Sequence, residues 1–121
     1  MRRQRGSVSI VIAAGVGMAL VIAIGVADVG RALIARSRAE AVADLAALAA
    51  AQELAVPSDG DPVLTADRYA SANGARLVSC SCSAGSTEAT VSVAVHVGGF
   101  LLPIADRDVV ASARAVVDLP T

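Results

Sequence analysis

SVSIVIAAGVGMALVIAIGVA, residues 7–27, contains no charged side chain. A run of about 20 apolar residues rising 1.5 Å each covers the roughly 30 Å hydrocarbon core of a bilayer, so this stretch is long enough to span one. The pattern does not stop there. Asp28 with Arg31 at i+3, and Arg36 with Glu40 at i+4, set opposite charges on one helix face. Residues 40–54 are almost wholly strong helix formers. The expectation is a single helix over about 7–55, roughly 70 Å long at 1.5 Å per residue, half in the bilayer and half projecting from it. Gly15, Ala19, Ala23 and Ala27 recur at every fourth residue along it, and Ala35, Ala39, Ala43, Ala47 and Ala51 extend the row beyond Arg31. Small residues at this spacing let helix backbones approach closely, the main route to helix association in lipid. In so alanine-rich a chain, chance is the competing explanation.

Outward from the helix, residues 1–6 form a short basic head. A basic head before an apolar run also describes a secretory signal, and Ala23-Ile24-Gly25 offers a small-x-small cleavage site, but the run exceeds the 7–15 residues of a usual signal core. On the other side, Val56-Pro57-Ser58-Asp59-Gly60 breaks the helix. Asp61 then stands at an N-cap position, Pro62 at the first helical position, and Gly74 just past Asn73, which predicts a short second helix over about 62–73. From Arg76 the period changes to two. Strands are expected at about 76–82, 89–97 and 108–118, with a turn at Ala84-Gly85-Ser86 and interruptions at Gly98-Gly99 and Pro103. In the second strand Val91, Val93, Val95 and Val97 alternate with Thr90, Ser92, Ala94 and His96, so one face is buried and one is wet. The expected fold class is α+β: a transmembrane helix (7–27) continuing outside the membrane (28–55), a loop (56–61), and a small domain (62–121) with a three-stranded antiparallel sheet.

Composition narrows the function. A chain of 121 residues that spends roughly a third of its length on a membrane span leaves a thin core and little room for a deep enzymatic pocket. Net charge is -1, with one Tyr, one Phe and no Trp, which disfavours nucleic-acid binding. His96 is the only imidazole and falls on the polar strand face, where a solvated side chain is the expectation, and no triad assembles around it. Asp106 and Asp108 flank Arg107 in an expected loop, and Asp59 and Asp61 flank Gly60; neither pair has the length or ligand count of a calcium loop. No glycine-rich phosphate cradle follows a strand. Asp28, with Arg31 a turn away, reads as a paired interfacial charge rather than a proton site. No cofactor, small-molecule substrate or catalytic group is expected. Cys80 and Cys82 are the only thiols; C-x-C closes a small, strained ring, so a disulfide and free thiols both remain open, while zinc lacks ligands.

Arg5-Gly6-Ser7 opening an apolar helix, then Ala27-Asp28-Val29-Gly30-Arg31, then residues 38–51 with "ADLAALAAA", resemble the TadE/TadG-like proteins of tight-adherence (Flp) pilus systems. The later segment Ala72 to Cys80, with "ANGARLVSC" and the valine-alternating strand after it, is similar to short actinobacterial TadE-like proteins of secretion and helicase gene neighbourhoods. The resemblance implies a pilin-like fold and a minor pilin or pseudopilin. It implies an inner-membrane protein with a cytosolic N-terminus and an extracytoplasmic domain, whose partners are membrane lipid, other pilus-assembly or secretion proteins, and copies of itself. It also implies a leader cut between Gly6 and Ser7, although the fifth residue after that cut is Val11 where the stricter pilin pattern has Glu. A partner cysteine earlier in the chain, common in the family, is missing here; Cys82 substitutes for it or is incidental. Orientation rests on the resemblance, because Arg2, Arg3 and Arg5 before the span balance Arg31, Arg36 and Arg38 after it. The competing expectation is a secreted or membrane-tethered binding module whose helix is only a signal or anchor.

Overall fold

In the computed structural model, backbone is described for residues 2–56, 59–99, 101 and 107–118, and side chains from residue 6 onward within those ranges. Of the positions singled out above, Pro57, Ser58, Pro103 and Asp106, and the side chains of Arg2, Arg3 and Arg5, lie outside the described residues. The long helix, α1, runs from Arg2–Ala55. It begins in the basic head rather than at Ser7, since Arg and Gln are as helix-competent as the residues that follow.

The short helix, α2 (Pro62–Ala72), starts where its signals place it. Asp61 Oδ1 accepts from Val63 N–H at 2.9 Å, and Pro62 supplies a fixed φ at a position that needs no donor. It closes through Gly74 N–H to Ser71 O (3.1 Å) and Ala75 N–H to Ala70 O (2.9 Å), with Gly74 at φ +74°. A left-handed residue is what this paired closure requires, and glycine adopts it without a Cβ clash. α2 runs back antiparallel along α1: Thr65 Oγ1 donates to Glu53 Oε1 (3.4 Å) at its start, and Arg38 Nη2 donates to Asn73 O (3.5 Å) at its end.

Three strands follow: β1 (Arg76–Ser81), β2 (Glu88–Val97) and β3 (Arg107–Val116), in an antiparallel sheet of order β1-β2-β3. The α+β architecture expected from the sequence is present. The turn between β1 and β2 is closed by Ser86 N–H to Ser83 O at 3.0 Å, with Gly85 at φ +85°, the conformation a type II turn demands at its third position. A bulge at Val78 breaks the β1 register: Leu77 opposes Val93 and Cys80 opposes Val91, so two residues three apart share the inner face. Simple alternation gave no sign of it.

The core lies between the C-terminal half of α1, α2 and the inner face of the sheet. Ala39, Val42, Ala43, Ala46, Ala47, Ala50 and Ala51 of α1 are buried with Ala66 and Ala70 of α2, Ala89, Val91, Val93 and Val95 of β2, and Ala111 of β3. The largest wholly buried side chains are only valines, Val91 and Val93. Alanine on the helix admits close approach of the sheet, and the valine row of β2 fills what space is left. The resulting core is thin, as the length required.

Candidate functional site

Residues 6–27 of α1 are exposed throughout, apart from the half-buried Ile24. Ile10, Met18 and Val21 are each about 70% exposed, at 71%, 69% and 69%, and Ile22 is 58% exposed. The helix is long and apolar enough to cross a membrane, and none of its most apolar stretch is covered by the rest of the protein. Gly15, Ala19, Ala23 and Ala27 are all exposed, and a Cβ placed on Gly15 would meet no atom within 4 Å. Nothing in the chain's own packing calls for small residues there. Gly6 and Ser7 are also exposed and sit within the helix.

The small-residue row does not continue as one docking ridge. Each fourth residue advances about 40° round a helix of 3.6 residues per turn, so the row winds about the axis. Gly15 to Ala27 centre about 180° away from the face carrying Ala39, Ala43, Ala46 and Ala50. The latter residues are wholly buried beneath the sheet and α2. Of the row's expected extension, Ala39, Ala43, Ala47 and Ala51 are buried in this core, so their smallness is used inside this molecule rather than along an outward ridge.

At the junction of the two halves the β2–β3 connection is tied to the helix. Arg31 Nη1 donates to Gly99 O, and Leu101 N–H donates to Asp28 Oδ1 at 3.2 Å. Asp28 and Arg31 therefore do not pair with each other as their spacing suggested: each reaches a backbone group of the connection instead, and Asp28 Oδ2 is buried with no hydrogen-bond partner among the described residues. Arg36 Nε and Glu40 Oε1 do pair, at 3.0 Å. A cleft of about 480 Å³ opens beside the tie, lined by Asp28, Val29, Leu33, Arg36, Arg107 and Asp108 among others.

The outer sheet face is polar. His96 is exposed, as expected of the wet face, but it is not merely solvated: its Nδ1 lies 2.9 Å from Asp108 Oδ1, directly across the β2–β3 ladder, and Arg76 Nη2 lies 3.4 Å from Asp108 Oδ2. Asp108 is thus a residue of β3 and not of a loop. The hydrogen bond from His96, and then the neighbouring charges of His96 and Arg76, hold its carboxyl below the ordinary Asp range. Ser92 and Ser112 hydroxyls meet at 2.6 Å, and Arg114 Nη2 donates to Glu88 Oε2 at 2.6 Å. These links pin the register of an exposed ladder. The signal for them was the β2–β3 pairing, which no single strand reveals. Among the described residues no group of three or more metal-capable side chains gathers. At the opposite end of the sheet from the tie, Cys80 and Cys82 are joined, with Cα atoms 5.4 Å apart. Asp59 and Asp61 remain solvent-exposed, Asp61 serving as the α2 cap.

Residues 6–53 match the family described as "Putative Flp pilus-assembly TadE/G-like". No curated protein and no solved structure matches the chain. The matched stretch takes in both the uncovered and the sheet-covered parts of α1 and ends before α2. It is through this helix that the chain is similar to the TadE/G-like pilus-assembly family.

Proposed function

We propose that the chain is a membrane-anchored minor pilin or pseudopilin-like component of a tight-adherence type pilus or secretion system, acting through packing of its N-terminal helix. The observation that carries this reading is the coincidence of the TadE/G-like match with a helix whose first half is apolar, uncovered and lined on one side by Gly15, Ala19, Ala23 and Ala27. In lipid there is no hydrophobic drive to bring helices together, so close backbone approach along small residues is the chemistry available for assembly. In this reading the N-terminus is cytosolic and the α+β domain extracytoplasmic, where an oxidised Cys80–Cys82 pair persists. Maturation removes the head between Gly6 and Ser7. The partners are another copy of the chain or other pilus-assembly proteins.

The test places a photoreactive side chain at Ala19 or, on the opposite side of the helix, at Val21, in cells. Crosslinks to a second copy or to pilus-assembly proteins from position 19 and not from 21 are expected; equal yields from both sides reduce the helix to a plain anchor. Mass spectrometry of the mature chain sorts the remainder. A start at Ser7 agrees with pilin-type maturation, and an intact N-terminus denies it. A start near Val26 makes the chain a secreted module, which the fold permits because the buried part of α1 begins only at Ala39.

A further inference from the structure

Three observations meet where α1 leaves its apolar span. First, the β2–β3 connection is held there by Arg31 Nη1 to Gly99 O and by Leu101 N–H to Asp28 Oδ1. Second, Leu101 is 58% exposed although its backbone is fixed, and Val29 (60%), next to Asp28 on the helix, is exposed as well. Third, Leu101 stands in an apolar run of sequence, Phe100-Leu101-Leu102-Pro103-Ile104, bounded by Gly98-Gly99 and by Asp106-Arg107.

The height of this point relative to a bilayer follows from the helix. With residues 7–27 centred on Gly17, Asp28 lies about 16 Å and Arg31 about 21 Å from the midplane at 1.5 Å per residue. The hydrocarbon ends about 15 Å from the midplane and the headgroup layer about 20–22 Å from it. Gly99 and Leu101, bonded to Arg31 and Asp28, are therefore level with the headgroups. Arg31 stands at the height of the lipid phosphates, where cations are favoured.

We infer that the β2–β3 hairpin is a second membrane contact, seating Leu101 in the headgroup–acyl boundary of the leaflet that α1 leaves. The occupant of the exposed apolar surface formed by Leu101 and Val29 is lipid, because that surface is continuous with the lipid-facing side of the span. Two contacts, the helix and Leu101, fix the tilt and rotation of the small domain over the membrane, which one helix alone leaves free. The inference rests on α1 spanning the bilayer.

The chain has no Trp, so single Trp substitutions report one position each. Full-length Leu101→Trp, Ile22→Trp and Val116→Trp are reconstituted in phosphatidylcholine–phosphatidylglycerol vesicles and quenched with lipids brominated near the top or near the end of the acyl chain. Val116 is exposed (62%) at the end of β3 remote from the tie. For Leu101→Trp, blue-shifted emission and stronger quenching by the shallow bromines are expected; for Ile22→Trp, stronger quenching by the deep ones; for Val116→Trp, water-like emission and no quenching. Water-like, unquenched emission from Leu101→Trp with Ile22→Trp still quenched overturns the hairpin contact and leaves the span intact. Equal quenching of Leu101→Trp and Val116→Trp also overturns it, since the domain then lies flat. An unquenched Ile22→Trp overturns the span and the hairpin contact together.

Discussion

The two halves of α1 carry the same small-residue spacing and meet opposite fates. Gly15, Ala19, Ala23 and Ala27 face outward, uncovered, whereas Ala39, Ala43, Ala47 and Ala51 lie under the sheet and α2 with at most 1% of their surface exposed. The difference lies in what each half has near it. Beyond Asp28 the chain returns three strands and a helix to one face of α1; before it, nothing among the described residues returns. Smallness on a helix therefore marks close approach without naming the partner, which is the chain's own sheet in one half and, in the proposed reading, another helix in the other.

The sharpest way to break this comparison is a charge in each half. Ile22→Arg places a guanidinium in the middle of the span, at about 2.5–3.5 kcal/mol on insertion scales. Carbonate-resistant membrane association should be lost. Leu48→Arg, at an exposed position of the projecting half (52%), should leave both membrane association and stability within about 0.5 kcal/mol of the parent. Retention of Ile22→Arg in the membrane would remove the membrane reading of the first half.

Overpacking separates the halves next. Ala43 is wholly buried, so Ala43→Leu should destabilise the domain by about 1–3 kcal/mol, seen as a lower urea midpoint. Val91→Ala, which truncates one of the two largest wholly buried side chains, should cost about 1.5–3 kcal/mol. The matching change in the first half, Ala19→Leu with Ala23→Leu, should leave the domain's urea midpoint where it was while crosslinking to partners falls well before the membrane level of the protein does. If the pair of leucines crosslinks as the parent does, the outward row is a consequence of alanine richness and the two halves differ only in burial.

The smallest effect concerns the outer face of the sheet. His96 and Arg76 lower the Asp108 carboxyl in the folded state, so the unfolded chain binds that proton more readily. The contribution is complete above about pH 4 and is lost as pH falls through the lowered folded value. Because Asp108 is exposed, screening keeps the contribution small. Asp108→Asn should lower the unfolding midpoint slightly above about pH 4, where the contribution is present, and leave it unchanged at the acid end, where Asp108 is protonated in both states; an unchanged midpoint throughout would show that the cluster sets register without adding stability.

Most elements were readable from the chain because their signals are local. The apolar run, the alanine-rich extension, the Asp61-Pro62 start and Gly74 stop of α2, and the valine alternation of β2 all follow from backbone preference and periodicity over a few residues. Boundaries moved little: α1 starts at Arg2, β1 ends at Ser81, and β3 begins at Arg107. What failed were inferences about pairs. Asp28 and Arg31 satisfy the helix spacing rule, yet the backbone of the β2–β3 connection, remote in sequence, outcompetes it. His96 acquired a partner from β3, and the Val78 bulge turned Cys80 inward opposite Val91.

By itself, then, the sequence determined that a long helix exists, that its first part is apolar enough for a bilayer, and that a short helix and three strands follow, because each depends on residues adjacent along the chain. Only the tertiary structure decided which alanines are core and which are surface, where Asp28 and Arg31 spend their hydrogen bonds, and which end of the sheet lies beside the span. Those outcomes depend on strand register and on the face of α1 the sheet covers, and both are set by contacts between residues far apart in the chain.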